Sequence, residues 1–153
     1  MFLERYEYFQ GASSNQFYFW SDGPKGRILK VVSYRFLIKA DGFHYFNVGF
    51  GDLDQKSRKI NDLSVSDNKD HEKILATVAA TALKFTSHIQ KCRLIVKGST
   101  PARIRLYQMK IVAYYDHISE LFDIQGETET GFERFSKDKK YLGFRFERFK
   151  FEI

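Results

Sequence analysis

The chain changes its repeat once. Over the first sixty residues apolar and polar positions alternate in short runs, the period of strands with one buried and one wet face. From about residue 70 the apolar positions recur at helical spacing. Residues 16–20 are a short aromatic run, Ser21-Asp22-Gly23-Pro24-Lys25-Gly26 has the composition of a turn, and residues 27–38 are rich in β-branched and aromatic side chains. Asp41-Gly42 predicts a tight hairpin into a strand over 43–50. Residues 52–59 are polar and predict another turn, and a strand follows over 60–65. Ser66-Asp67-Asn68-Lys69-Asp70 offers several N-cap residues, after which Ile74, Leu75, Val78, Ala79, Ala82, Phe85 and Ile89 mark a helix over 70–90. Residues 92–96 predict a short buried strand. Gly98-Ser99-Thr100-Pro101 closes it and opens a second helix, with Thr100 or Ser99 as cap and Pro101 at the first position. That helix runs to about Met109 and continues, bent or broken, to Leu121. A strand resumes over 122–124, residues 126–131 are a polar connection, and 141–153 form a last strand whose phase slips at Glu147-Arg148, the mark of a β-bulge. The order predicts one α+β domain over 1–153, two main helices packed on a mostly antiparallel, twisted sheet.

Composition narrows the class. With 153 residues and 43% apolar content the chain is long enough for a sizeable core. No apolar run approaches the roughly 18 residues of a membrane helix, so a membrane is not an expected partner. The opening Met1-Phe2-Leu3-Glu4-Arg5 lacks the basic-then-apolar pattern of a secretory leader. A single cysteine, Cys92, can make neither an internal disulfide nor a cysteine zinc set. These features predict a cytoplasmic setting. The 16 Phe and 9 Tyr alternate along the expected strands, as in Tyr34, Phe36, Phe43, Tyr45, Phe144 and Phe146, so aromatics fall on both sheet faces. Helices cover such rings, or bases stack on them.

Charge changes the picture most. The net charge is +6, but between Glu72 and Asp116 there is no acidic residue, and Lys73, Lys84, Lys91, Arg93, Lys97, Arg103, Arg105 and Lys110 all lie in that window. The positive excess is therefore local, which points to an anionic partner, nucleic acid or an acidic protein, at a face built from 73–115. At about 100° per residue Lys73, Lys84 and Lys91 fall within roughly 20° of one another, a basic ridge opposite the apolar arc. Lys97, Ser99, Thr100, Arg103 and Arg105 gather around the start of the second helix, where free amides and guanidinium forks suit an anion. The same hydroxyls also serve as ordinary caps, and Arg103 and Arg105 stand roughly 160° apart. His44, His71, His88 and His117 lack metal-ligand spacing, so no metal is expected. Asp52, Asp54 and Asp62 are read as turn residues before a carboxylate cluster.

Residues 45–112 resemble the core of the GNAT superfamily of N-acetyltransferases. The matching pieces are Asn47-Val48-Gly49-Phe50, Asp62-Leu63-Ser64-Val65, the helix near 70–90, the strand at 92–96 and the helix opened by Thr100-Pro101. The resemblance implies a GNAT-like sheet, acetyl-CoA as cofactor, and Tyr107 of Leu106-Tyr107 as general acid toward the leaving thiolate. The superfamily's glycine-rich pyrophosphate loop has no counterpart: Ser66-Asp67-Asn68-Lys69-Asp70-His71-Glu72-Lys73 holds no glycine and three carboxylates. The chain also resembles an uncharacterised bacterial family of small proteins, through Gly98-Ser99-Thr100, Arg103, Arg105, Leu106 and Tyr107. That likeness implies no activity.

The leading expectation is thus a small cytoplasmic binding protein without a cofactor, whose 73–115 face takes an anionic partner; a toxin–antitoxin or defence role fits by analogy. The alternatives are an acyl-CoA-dependent N-acyltransferase with a remodelled loop, and a structural subunit that forms a homodimer through residues 149–153.

Overall fold

Strand and helix boundaries follow the change of period. In a computed structural model, which describes residues 4–54, 56–61, 67–98 and 100–149, the elements are β1 (Phe9–Gln10), β2 (Gln16–Gly23), β3 (Gly26–Ala40), β4 (Phe43–Leu53), β5 (Ile60–Asn61), α1 (His71–Thr86), β6 (Cys92–Val96), α2 (Pro101–Ala113), α3 (Tyr115–Leu121), β7 (Phe122–Thr128), β8 (Gly131–Arg134) and β9 (Phe144–Arg148). The fold is α+β, with three helices among the described residues and a mixed sheet in the order β1-β2-β3-β4-β6-β9-β7-β8; β5 pairs with β4 beside this path. The β4–β6 register is parallel, His44 to Asn47 against Cys92 to Ile95. A parallel neighbour needs a long crossover, and α1 lies in that connection. No helix among the described residues is long and apolar enough to cross a membrane.

The chain divides into two compact units, residues 1–35 with 48–88, and residues 36–47 with 89–153. In the first, β2 and β3 pair from Gln16↔Ser33 to Gly23↔Gly26, so the turn shrinks to Pro24-Lys25, with Gly26 at φ +86°. Phe17, Phe19, Val32 and Tyr34 are completely buried, and Tyr34 stacks on Phe85 of α1 at 4.4 Å between centroids. Each fully buried aromatic of this kind stabilises by about 1.5–3 kcal/mol. The face that α1 buries differs from the expected one. Ile74, Thr77, Thr81, Ala82 and Thr86 are buried, and the threonines are admitted because their hydroxyls are satisfied. Thr77 accepts the Tyr6 N–H at 2.9 Å, and Thr81 shares a 2.9 Å hydrogen bond with the Tyr34 hydroxyl. The helix stops at Thr86 rather than near 90. There Thr86 and Ser87 turn their hydroxyls onto the Ala82 and Lys84 carbonyls, the local competition that weakens a helix end. Lys91 follows in the left-handed region at φ +52°.

In the second unit Asp41 and Gly42 sit at φ +54° and +81°, the two positive values that a tight type I′ hairpin requires. The second helix breaks at Tyr114 into α2 and α3, as the sequence allowed. The expected polar connection over 126–131 is a β-hairpin, β7 pairing with β8 from Gln125↔Arg134 to Thr128↔Gly131. Its polar residues hid the strand because alternate positions face solvent. β9 starts at Phe144, and its registers run without interruption to Glu147 against β6 and to Arg148 against β7, so no bulge forms over 144–148. Tyr141 instead leaves the sheet and lays its ring on Gly126, where a Cβ would come within 2.3 Å of it. Ile111, Ile124, Phe135, Tyr141 and Phe144 form this unit's core, with Val96, Ile104, Tyr107 and Phe146 packed against it. The remaining expected strand residues 62–65, and 150–153, lie outside the described residues.

Candidate functional site

Core residues Val96, Ile124, Phe144 and Phe146 carry the helices α2 and α3 on one face of the second unit's sheet. Strand alternation sends their neighbours to the other face. The registers align them in two rows: Tyr45, Arg93, Glu147 and Asp123, then Asn47, Ile95, Arg145, Gln125 and Arg134. Arg93 stands at the centre of the first row. Its Nε donates to Glu147 Oε1 at 2.8 Å and its Nη1 to the Tyr45 hydroxyl at 2.8 Å, while its guanidinium carbon lies 3.7 Å from the Phe43 ring centroid. Arg145 donates to Gln125 Oε1 and lies 4.3 Å over the Phe132 ring. Burial, and then the like charge of Arg93, hold the Arg145 guanidinium below its ordinary pKa. Burial works the same way on Arg93, but its bonds to Glu147 and Tyr45 outweigh it and raise that group. Two guanidinium planes are thus fixed against aromatic rings close enough to repel, and Glu147 is bonded to Arg93 of the pair. Fixed guanidinium forks bind phosphate oxygens with little further loss of side-chain freedom.

The turn before α2 holds the sequence-predicted anion residues, and the structure separates them. Thr100 caps α2: its hydroxyl accepts the Arg103 N–H at 3.2 Å, and its carbonyl accepts the Arg103 and Ile104 N–H groups at 3.1 Å. Pro101 has no amide to offer. Gly98 is pressed so closely on the helix that a Cβ would lie 2.6 Å from the Ile104 nitrogen. Lys97 pairs with Glu127 at 3.4 Å. Arg105 is exposed, on the far side of the helix from Arg103. Ser99 lies outside the described residues. Arg103 is only 8% exposed, its Nε has no hydrogen-bond partner among the described residues, and its guanidinium carbon sits 5.6 Å from the ring of Tyr107. A buried guanidinium without a carboxylate is costly. Tyr107 itself packs on the core.

The basic ridge is shorter than its spacing implied. Lys73 and Lys84 lie on α1, whereas Lys91 lies past its end. Lys84 is exposed, and Lys73 is half-buried with its ammonium 4.3 Å over the Tyr6 ring. Asp52 is spent on an ion pair with the buried Lys30, and Asp54 on a turn, where the Lys56 N–H and the Ser57 hydroxyl lower its pKa. Asp62 lies outside the described residues.

Sequence reasoning passed over a second polar cluster. Asn68 is 1% exposed and clamps the approach to α1 onto the β2–β3 hairpin: Oδ1 accepts the Lys25 N–H at 2.7 Å, and Nδ2 donates to the Gly26 carbonyl at 2.9 Å and to Ser21 Oγ at 3.1 Å. Gly23 is required there, since a Cβ would come within 2.0 Å of the Asn68 carbonyl oxygen. Asp70 is no side-chain cap. Its Oδ2 accepts from the Tyr6 hydroxyl at 2.6 Å and from Ser21 Oγ at 2.5 Å, on the wall of a groove of about 740 Å³ that Trp20, Arg27 and Lys73 also line. Among the polar residues of the other site, Arg145 and Tyr45 were legible in principle. The alternation Phe144, Phe146 against Arg145, Glu147 assigns the polar pair to the open face.

A family model matches residues 3–149 of the chain. The chain belongs to DUF6934, a family of unknown function. Neither a curated protein nor a solved structure matches this DUF6934 chain. Its site therefore has to be argued from its own residues.

Proposed function

We propose that the chain is a binding protein for single-stranded nucleic acid, taken up on the sheet face of the second unit opposite α2 and α3. The observation that carries this reading is the Arg93–Arg145 pair, two guanidinium groups stacked on Phe43 and Phe132, with Glu147 bonded to Arg93 and the Gln125 amide to Arg145. Aromatic platforms beside fixed cations are what sequence-tolerant recognition of bases and phosphates uses. Arg103 of α2, buried with its Nε unpartnered among the described residues, supplies a further positive charge in the same unit. Fluorescence anisotropy with a labelled twelve-residue oligothymidylate tests it. Three phosphate contacts, at about 0.7 each in the log–log salt slope, weaken binding by more than about tenfold between 50 and 200 mM salt. Arg145→Gln lowers that slope by about 0.7. Absent or salt-independent binding, or an unchanged slope in the variant, overturns the proposal.

A second reading, an acyl-CoA-dependent N-acyltransferase of GNAT-like topology, has one observation in its favour: β4 and β6 are parallel neighbours connected through α1, and α2 follows β6. It conflicts with the entry to α1, where Asp70 places a carboxylate at the position of the pyrophosphate loop. A ligand at 100 times its Kd stabilises by about 2.7 kcal/mol, so acetyl-CoA at millimolar concentration gives a clear thermal shift if this reading holds.

A further inference from the structure

The β3 strand is longer than its neighbour. β2 pairs with it only from Gly26 to Ser33, and Asn15 then holds Tyr34 through both its carbonyl, at 2.9 Å from the Tyr34 nitrogen, and its side-chain amide, at 2.9 Å from the Tyr34 oxygen. Residues 35–40 continue as strand beside β4, and on their other edge no backbone hydrogen bond is made among the described residues. An open strand edge offers a ladder of donors and acceptors to another chain, and folded proteins blunt such edges with charges, prolines or bulges. This edge has no proline, and it is apolar. Phe36, Leu37 and Ile38 are 52%, 41% and 56% exposed, three successive residues and therefore apolar surface on both faces of the strand. Arg35 and Lys39 flank them, both exposed, and no carboxylate lies between.

Charge decides the occupant. A second copy in the antiparallel register that matches the three apolar positions puts Leu37 on Leu37 and Phe36 on Ile38, and so brings Arg35 against Lys39 at both ends. Like charges directly opposite are destabilising. An extended segment with three strand-forming residues between two carboxylates meets the same edge with both ends complementary. We propose that β3 residues 35–40 are a docking edge that adds such an acid-flanked extended segment of a partner protein as a further strand. This surface is independent of the guanidinium pair on Arg93 and Arg145, and nucleic-acid binding is unaffected by its loss.

The test uses the full chain and two labelled peptides, Glu-Val-Thr-Val-Glu and Lys-Val-Thr-Val-Lys, read by anisotropy and by amide chemical shifts. The acidic peptide binds at least tenfold more tightly and shifts the amides of residues 35–40. Leu37→Asn, at an exposed position, loses that binding. The double variant Arg35→Glu with Lys39→Glu reverses the preference to the lysine peptide, which keeps the outcome decisive even if the Leu37 variant folds poorly. Equal affinity for the two peptides, no binding at millimolar concentration, or shifts that spare 35–40 overturns the proposal. A concentration-dependent dimer in sedimentation that Leu37→Asn abolishes also overturns it, by assigning the edge to a second copy.

Discussion

Replacing Asn68 separates the strength of a buried polar clamp from its chemistry. The side chain is 1% exposed and bonds three groups of the β2–β3 hairpin within 3.1 Å: the Lys25 N–H, the Gly26 carbonyl and Ser21 Oγ. Asn68→Ala removes these bonds at about 1 kcal/mol net each, a loss of about 2–3 kcal/mol. For a chain of this size that lowers Tm by roughly 5–10 °C. Asn68→Asp keeps the volume but turns the Nδ2 donor into an acceptor facing two acceptors, and it buries a charge with no cation against it. An unpaired buried carboxylate costs several kcal/mol, so Asn68→Asp is the less stable variant at pH 7, by about 2 kcal/mol or more. The sign of the pH dependence follows. Burial raises the folded-state pKa of the new carboxyl above its unfolded value of about 3.9, so its penalty is absent below that pH and grows as pH rises. Protonation also restores a donor. Urea unfolding followed by circular dichroism at pH 7 and pH 4.5 reads the difference between the two variants, in which contributions from every other group cancel. If Asn68→Asp equals or exceeds Asn68→Ala at pH 7, or if their difference ignores pH, the clamp does not work through the Nδ2 donor.

Two further outcomes follow from buried groups of opposite kinds. Burial pushes the Cys92 thiol up to about 12, so it stays unreacted toward a disulfide reagent at pH 8 until urea is added; rapid native labelling would refute its burial. Because the fold favours the neutral thiol, that stabilisation is complete below about pH 9 and falls by about 1.4 kcal/mol per pH unit above it, a slope that Cys92→Ala removes. Asp52→Asn removes the carboxylate that pairs with the Lys30 ammonium, 3% exposed, and destabilises the chain in urea unfolding by more than Lys30→Met with Asp52→Asn together; equal losses would mean that the pair is not coupled.

Much of the fold is legible wherever hydrophobicity alone sets burial. Asp41-Gly42 specifies its hairpin, β6 begins and ends at the expected residues 92 and 96, and the Pro101 start of α2 with its Thr100 cap is as the sequence predicts. What escaped the pattern is polar and buried. Thr77 and Thr81 occupy the centre of the α1 face because Tyr6 and Tyr34 satisfy their hydroxyls, partners 71 and 47 positions away. No local periodicity can register such a bond, so the predicted apolar arc was rotated off the true one. The charge window overlooks long-range pairing in the same way. Counting Lys and Arg over 73–115 treats each as free, yet Arg93 is tied to Glu147 and Lys97 to Glu127, both carboxylates from outside the window.

Long-range pairing also sharpens the site. Most of the buried polar side chains of this chain have been given partners: Asn68 by the hairpin, Thr77 and Thr81 by two tyrosines, Lys30 by Asp52. Arg103, 8% exposed, differs from them: its Nε is unpartnered among the described residues, and the Tyr107 ring lies 5.6 Å from its guanidinium carbon. Arg145, half-buried, is a partial exception: it bonds the Gln125 amide, and burial with the like charge of Arg93 lowers its pKa against the opposing pull of Tyr45 and Glu147. A fold that satisfies Asn68 so completely has no need to leave two guanidinium groups of one unit short of carboxylates for packing alone. Stability would favour an apolar residue of similar volume at Arg103. If Arg103→Met raises Tm while it weakens oligothymidylate binding, the charge is kept for a ligand; if it raises Tm and leaves binding unchanged, Arg103 has no part in binding and the Arg93–Arg145 pair carries it.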